Sequence, residues 1–266
     1  MIHELRVIGA HAKVATAHEL QYRSNFWMAA LNTLIMLGVS LAGIGIVFSH
    51  VETLRGWSSS DMYVLLGTFF VLGSYINGIL HRSMSTFTSD VASGSFDFLL
   101  LKPVDAQVVA AGQTPQPWRL LNLAAGLTLI AIGVSNQGFD EVSGGAVGAL
   151  LAAVTMLACS ICIVTGFWAL MASITFWTIE GEGILWALDD MYDHLRWPLQ
   201  IFPPGLRMAL STVYPAGFAI TVPASALTGR LGLSTALIAC ATAAAFLIAA
   251  RLVWRVAIRR YEGANS

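Results

Sequence analysis

"AVGALLAAVTMLACSICIVTGFWALMASITFWT", residues 146–178, runs for thirty-three residues without one charged side chain. An α-helix rises ~1.5 Å per residue, so about 20 apolar residues cross a hydrocarbon core roughly 30 Å thick. In water such a helix would expose apolar surface all round, and a bilayer is the solvent that suits it. The rest of the chain agrees, with 56% hydrophobic residues and 11% charged, against about 25% charged in soluble domains. Residues 26–48 and 62–80 are also free of charge, 234–250 with its flanks forms another window, and 118–134 is a shorter one that begins beside Arg119. The expectation is one all-α membrane domain, 1–266, with about six transmembrane helices.

The amino-terminal residues 1–25 contain Arg6, Lys13 and Arg23 and lack a small-residue cleavage pattern before the first apolar run. They read as a segment lying along the membrane surface, not as a cleaved leader. Lysine and arginine collect on the cytoplasmic side of short loops. With six spans and both termini inside, Arg6, Lys13, Arg23, Arg82, Lys102, Arg119, Arg251, Arg255, Arg259 and Arg260 are cytoplasmic, and only Arg55, Arg196, Arg207 and Arg230 lie outside. That orientation requires an odd number of spans between residues 183 and 229.

That stretch makes a poor lipid-facing helix. Asp189, Asp190, Asp193, His194 and Arg196 crowd together, and an acidic side chain at a span centre costs about 2.5–3.5 kcal/mol. At helical spacing Trp186, Asp189, Asp190, Asp193 and Trp197 share a side, with Arg196 one turn from Asp193. A fifth span over 183–197 is expected, its acidic face turned to protein or water; an interfacial helix with solvated charges is the alternative. Beyond it, Pro198, Pro203, Pro204, Pro215 and Pro223 each remove a backbone donor, and the freed carbonyls must find partners elsewhere. Short re-entrant or interfacial helices on the outer side, over 198–230, fit this better than one straight span.

Between the second and third spans, in loop 81–117, lies "GSFDFLLLKPVD", residues 94–105. It is too short and too charged to cross a membrane. Ser93 or Ser95 can cap a helix there, Asp97 suits the positive end of its dipole, and Lys102-Pro103 stops it. Phe96, Leu99 and Leu100 then form an apolar face fit for a groove on a partner, or for the membrane surface.

The stretch "GSFDFLLLKPVDAQVVAAG" resembles the cytoplasmic loop of ABC-2 type transporter permeases, in which a Gly, an acidic residue, paired Leu and a Pro follow the second span. "WPLQIFPPGLRMALSTVYPAGFAITVPASALTG", which includes Tyr214, resembles the same family's outer segment of short proline-bounded helices. "YRSNF" and "WRVAIRRYEGANS" are similar to the two ends of the sub-branch found beside drug-exporter-like ATPases. The acidic residues of the fifth span depart from the family's pattern.

The resemblance implies an exporter subunit in the cell membrane that forms the translocation path with an identical or related second permease. It implies a coupling helix at 94–103, in which Gly94, Phe96, Asp97, Leu99, Leu100, Lys102 and Pro103 engage a cytoplasmic ABC ATPase that binds ATP and Mg. The chain itself carries no phosphate-cradling Gly-Lys-Ser/Thr, since Lys13 follows Ala12 and Lys102 precedes Pro103. No cofactor bound by the chain is expected.

Other features have plainer readings. Cys159 and Cys162 fall inside an uncharged span and read as small packing residues. Glu4, His11 and His18 share a helical face but are spaced too widely for one metal ion. Asn32, Tyr75 and Asn77 line a substrate path or bond between helices. Arg251, Arg255 and Arg259 recur every four residues and read as headgroup anchors. No feature suggests nucleic-acid binding. Two rival functions remain from the residues: a secondary transporter relaying protons through Asp189, Asp190 and Asp193, and an intramembrane enzyme using that cluster with His194.

Overall fold

The computed structural model describes residues 9–10, 13–14, 16–17, 23–137, 145–178 and 181–261. Glu4, Arg6, His11 and His18 of the expected interfacial segment lie outside the described residues, as do residues 262–266.

The described elements are helical, in the order α1 (Arg23–Phe48), α2 (Ser59–Tyr75), a π turn (Ile76–Leu80), α3 (His81–Ser93), α4 (Phe96–Leu100), α5 (Ala106–Ala110), a 3-10 turn (Pro117–Arg119), α6 (Leu120–Gln137), α7 (Gly145–Ser173), a 3-10 turn (Ile174–Phe176), α8 (Gly181–Asp193), a 3-10 turn (Leu199–Ile201), α9 (Pro204–Thr212), α10 (Ala216–Leu227) and α11 (Leu233–Ile258). Five of the helical stretches are long and apolar enough to cross a membrane, and α9 with α10, bent by 92°, makes a sixth.

The second span, Ser59–Ser93, is 35 residues long. At ~1.5 Å per residue it measures roughly 50 Å, well beyond a hydrocarbon core of about 30 Å. Its apolar half is α2; α3 is rich in Ser and Thr and carries α4 and α5 at its tip. Ser58 starts the span with a reciprocal cap, its hydroxyl accepting from the Asp61 N–H at 3.2 Å while the Asp61 carboxylate accepts from the Ser58 N–H at 2.8 Å.

Packing between spans relies on small residues, because lipid tails supply no hydrophobic drive between helices. A Cβ on Gly67 of α2 would lie 2.7 Å from the Gly126 carbonyl oxygen of α6, and one on Gly126 would lie 2.7 Å from that of Gly67. The two backbones therefore touch, which only glycine permits. On α7, Cys159 packs against α11 with its sulfur 3.6 Å from that of Cys240.

The fifth span differs from the straight helix expected over 183–197. α8 is 13 residues long, about 20 Å, and ends at Asp193, five residues before Pro198. Contacts down the second span show what completes it. Arg230 pairs with Asp61, the Thr68 hydroxyl donates to the Ile220 carbonyl at 3.2 Å, and the Tyr192 hydroxyl donates to the Phe69 carbonyl at 2.6 Å. Further along, Asn77 meets Asp189 and the His81 ring lies 4.7 Å from that of Trp186. α8 thus lines the Ser93 half of the second span, and α10, the apolar part of the bent pair, lines the Asp61 half. Pro223 and most of α10 are buried between α2 and α7, so this part of 198–230 is enclosed by protein.

The carbonyls freed by the prolines have identifiable partners. Pro223 cannot donate to the Ala219 carbonyl four residues back, and the buried Ser160 hydroxyl of α7 donates to it at 2.7 Å. Pro203 and Pro204 cannot serve the carbonyls of Leu199 and Gln200, and the Arg207 guanidinium donates to both, at 3.2 and 2.9 Å. Arg207, expected at the outer end, is therefore spent on the break. Arg196 is placed similarly: its guanidinium lies 5.7 Å from the centre of the Phe69 ring and donates to the Ser40 hydroxyl.

Candidate functional site

Two regions carry the chemistry: a polar cavity along α3 and α8, and the α4–α5 hairpin at the end of α3.

The cavity begins beside α3, where Arg82, Ser85, Thr86 and Asp90 line an open chamber of about 480 Å3 with His81, Gln116 and Trp186. Asn77, Arg119 and Asp189 belong both to this chamber and to a smaller one of about 120 Å3, whose walls include Asn32, Asn122 and Asp193. The π turn explains the throat. Its wider winding presents the Gly78 carbonyl to the Gln116 N–H at 2.6 Å, which brings Arg119 alongside Asn77. With its amide nitrogen turned toward α8, Asn77 donates to Asp189, 3.1 Å to Oδ2. Arg119 lies close enough to act electrostatically on both Asp189 and Asp193. The small chamber ends at Phe69 and Tyr192, whose rings stack 4.8 Å apart.

Of the path residues named from sequence, Asn32, Asn77, Asp189 and Asp193 line this small chamber. Asp190 is exposed and does not line the small chamber. Tyr75 turns to α7 and bonds the Thr165 hydroxyl at 2.6 Å. Arg119, Asn122 and Tyr192 were missed. Arg119 was legible as a charge opening a span; Asn122 and Tyr192 carry no signal beyond polarity.

In the hairpin, Gly94 closes α3 in a left-handed conformation, φ 77°. The Ser95 hydroxyl reaches back to Asp90 and does not cap α4. Phe96 and Leu99, expected to dock on a partner, are buried in this chain, at 1% and 7% exposure. Phe96 sits among Phe87, Phe176, Trp254 and Tyr261 at ring distances of 5.3–6.2 Å. The outward side chains are Phe98 at 72%, Leu101 at 81% and Leu100 at 41%. Lys102 and Pro103 form the exposed turn into α5, which Asp105 caps by accepting from the Gln107 N–H at 3.1 Å.

Asp105 also ties the hairpin to the last span. Arg251 of α11 grips its two carboxylate oxygens and donates to the Gln107 side chain at 3.0 Å. Arg251 therefore binds protein where a headgroup contact was expected. Burial raises the Asp105 pKa, but the Arg251 hydrogen bonds and charge outweigh it, and with the Val108 and Gln107 N–H groups they hold it below the ordinary 3.8. Burial and the nearby Asp97 carboxylate push the Tyr261 hydroxyl up. Among the described residues, no three His, Cys, Asp or Glu side chains converge as metal ligands.

A bundle of membrane-length helices around a hydrophilic cavity that ends partway along its second span is the architecture of a membrane permease. The chain belongs to the ABC-2 family transporter proteins, whose family model matches residues 34–265. Among curated proteins, no sequence matches the chain. Membership makes it a multi-pass transport subunit and implies an ATPase partner.

Proposed function

We propose that the chain is the permease of an ATP-driven exporter, with the Ser93 end of the bundle in the cytoplasm and a second permease, identical or related, beside it. The observation that carries this reading is the two-faced α4 helix. One face is fastened into the bundle through Phe96 and Leu99, and the other holds Phe98, Leu100 and Leu101 out beyond the membrane-length part of the second span. Apolar side chains in that position suit a groove on a cytoplasmic ATPase.

The fastening matters as much as the exposed face. A push on Phe98 or Leu101 passes to Phe96, thence to Trp254 of α11, and in parallel through Asp105 to Arg251. Both routes end on the last span, which packs along α7. The charge distribution supports the orientation: Arg196 lies over the Phe69 ring and Arg207 is held by backbone carbonyls at the break, leaving Arg55 and Arg230 as the cations of the Asp61 end. With no Gly-Lys-Ser/Thr in the chain, ATP and Mg belong to the partner.

The test is co-expression with a candidate P-loop ABC ATPase from the same genome. The purified permease alone is expected to be silent in an ATPase assay, and the ATPase is expected to copurify with it. Hydrolysis by the permease after removal of every ATPase, or no copurification, would overturn the reading.

A further inference from the structure

The chain has three cysteines, and the fold brings two of them together across 81 positions of sequence. Cys159, midway along α7, and Cys240, two turns into α11, hold their sulfurs 3.6 Å apart. The two helices are in close register around them. A Cβ on Gly166 of α7 would lie 2.7 Å from the Phe246 main chain of α11, and Ala239 of α11 is buried in one cluster with Ala153 and Met156 of α7. A disulfide needs an S–S distance of about 2 Å, which is within reach of side-chain rotation. Both spans are of membrane length, so the pair sits at hydrocarbon depth. Cys240 is open to the lipid and Cys159 is partly buried behind it, while Cys162 lies by Tyr75 of α2. An exposed thiol in contact with a second one has the arrangement of an attacked and a resolving cysteine.

We propose that Cys159 and Cys240 form an oxidation site within the membrane, where a lipid-soluble organic hydroperoxide converts them to a disulfide between α7 and α11. The Cys240 sulfur attacks the O–O bond and keeps the terminal OH as a sulfenic acid, and the thiol proton leaves with the alkoxide as an alcohol. The Cys159 sulfur then displaces that OH as water, and the S–S bond forms. Two thiols lose two electrons and two protons, and the hydroperoxide is reduced to alcohol and water. The cross-link closes a loop containing α8, α9 and α10, which restricts the unfolded chain and makes the oxidised protein the more stable form. It also pins to α7 the helix whose Arg251 and Trp254 hold the hairpin.

The experiment uses the full chain in phosphatidylcholine vesicles, treated with cumene hydroperoxide, dissolved in SDS and reacted with a polyethylene-glycol maleimide that adds one gel step per free thiol. The untreated chain is expected to show three steps and the treated chain one, with dithiothreitol restoring all three. Cys162→Ser is expected to fall from two steps to none, and Cys240→Ser to keep both of its own. Tetrathionate, a dianion that hydrocarbon excludes, is expected to act about tenfold more slowly or less. The cross-linked chain is expected to melt several degrees above the reduced one. Three free thiols after treatment, a covalent dimer on the non-reducing gel, or loss of thiols from Cys240→Ser at the wild-type rate overturns the inference. So does equal action by tetrathionate or a melting temperature that the cross-link leaves unchanged. None of these readouts involves the ATPase, so their failure leaves the exporter reading standing, and failed ATPase capture leaves this site standing.

Discussion

The two ends of the bundle are built on opposite plans. At the Asp61 end one buried carboxylate gathers three segments: Asp61, 3% exposed, caps α2 through Ser58, pairs with Arg230 beyond α10 and accepts from the Gln137 amide of α6 at 2.5 Å. Arg230 also lies over the Trp57 ring, 5.2 Å from its centre. At the Ser93 end Arg82, Arg119, Asp90 and Asp189 line an open chamber, and the hairpin carries exposed apolar residues. One end concentrates its polar groups on each other, and the other lines a chamber with them. The difference teaches where stability and where function should fail on mutation.

The largest loss of stability is expected at the closed end. Asp61→Ala removes a cap, a hydrogen bond from Gln137 and the buried partner of the half-exposed Arg230, at a cost of about 2 kcal/mol. Detergent-solubilised protein is expected to melt several degrees lower, while Asp90→Ala at the open end leaves the melting temperature unchanged. Equal shifts would erase the distinction between the ends.

Next in size is the break in the fifth span. Ser160→Ala strands the Ala219 carbonyl and is expected to cost about 1–2 kcal/mol. In Pro223→Ala the restored N–H serves that carbonyl, so Ser160→Ala in that background costs much less. A double-mutant cycle with no coupling would refute the compensation.

A smaller, conditional effect is expected at the link between hairpin and last span. Because folding lowers the Asp105 pKa, its contribution is fully present above the ordinary value of 3.8 and is lost as pH falls through the lower folded value. Hydrogen exchange in α5 is therefore expected to quicken below about pH 4, and Asp105→Asn to show the quick rate already at neutral pH. A wild-type exchange profile unchanged across that range would refute the link.

Uncharged length made the other spans legible, and composition alone located the membrane. The fifth was harder to read. Its apolar half, α10, contains Pro223 and follows a bend, so it resembles a surface helix until Ser160 and Thr68 are seen to supply donors from other helices. Those partners are remote in sequence, and no local pattern announces them. In the hairpin the run Phe96 to Leu101 is apolar on both sides, so helical spacing fixed the element without saying which face the bundle takes. Trp254 and Tyr261, near the far end of the chain, decide it. The acidic cluster was legible as a group that cannot face lipid, but its division between cavity and surface depends on the Asn77 and Arg119 neighbours.

The most direct test of the account is capture of the ATPase by a permease carrying Phe98→Asp and Leu101→Asp together. Both side chains face outward, so the variant is expected to insert and melt as the wild type does. Each loses an apolar contact worth roughly 1.5–3 kcal/mol and puts a charge in its place, so copurification is expected to fall by more than about a hundredfold. Phe96→Ala, which hollows the aromatic cluster, is expected to show the reverse, a lower melting temperature with capture retained by the folded fraction. Wild-type capture by the Phe98→Asp, Leu101→Asp permease would contradict the claim that α4 holds the ATPase on its outward face.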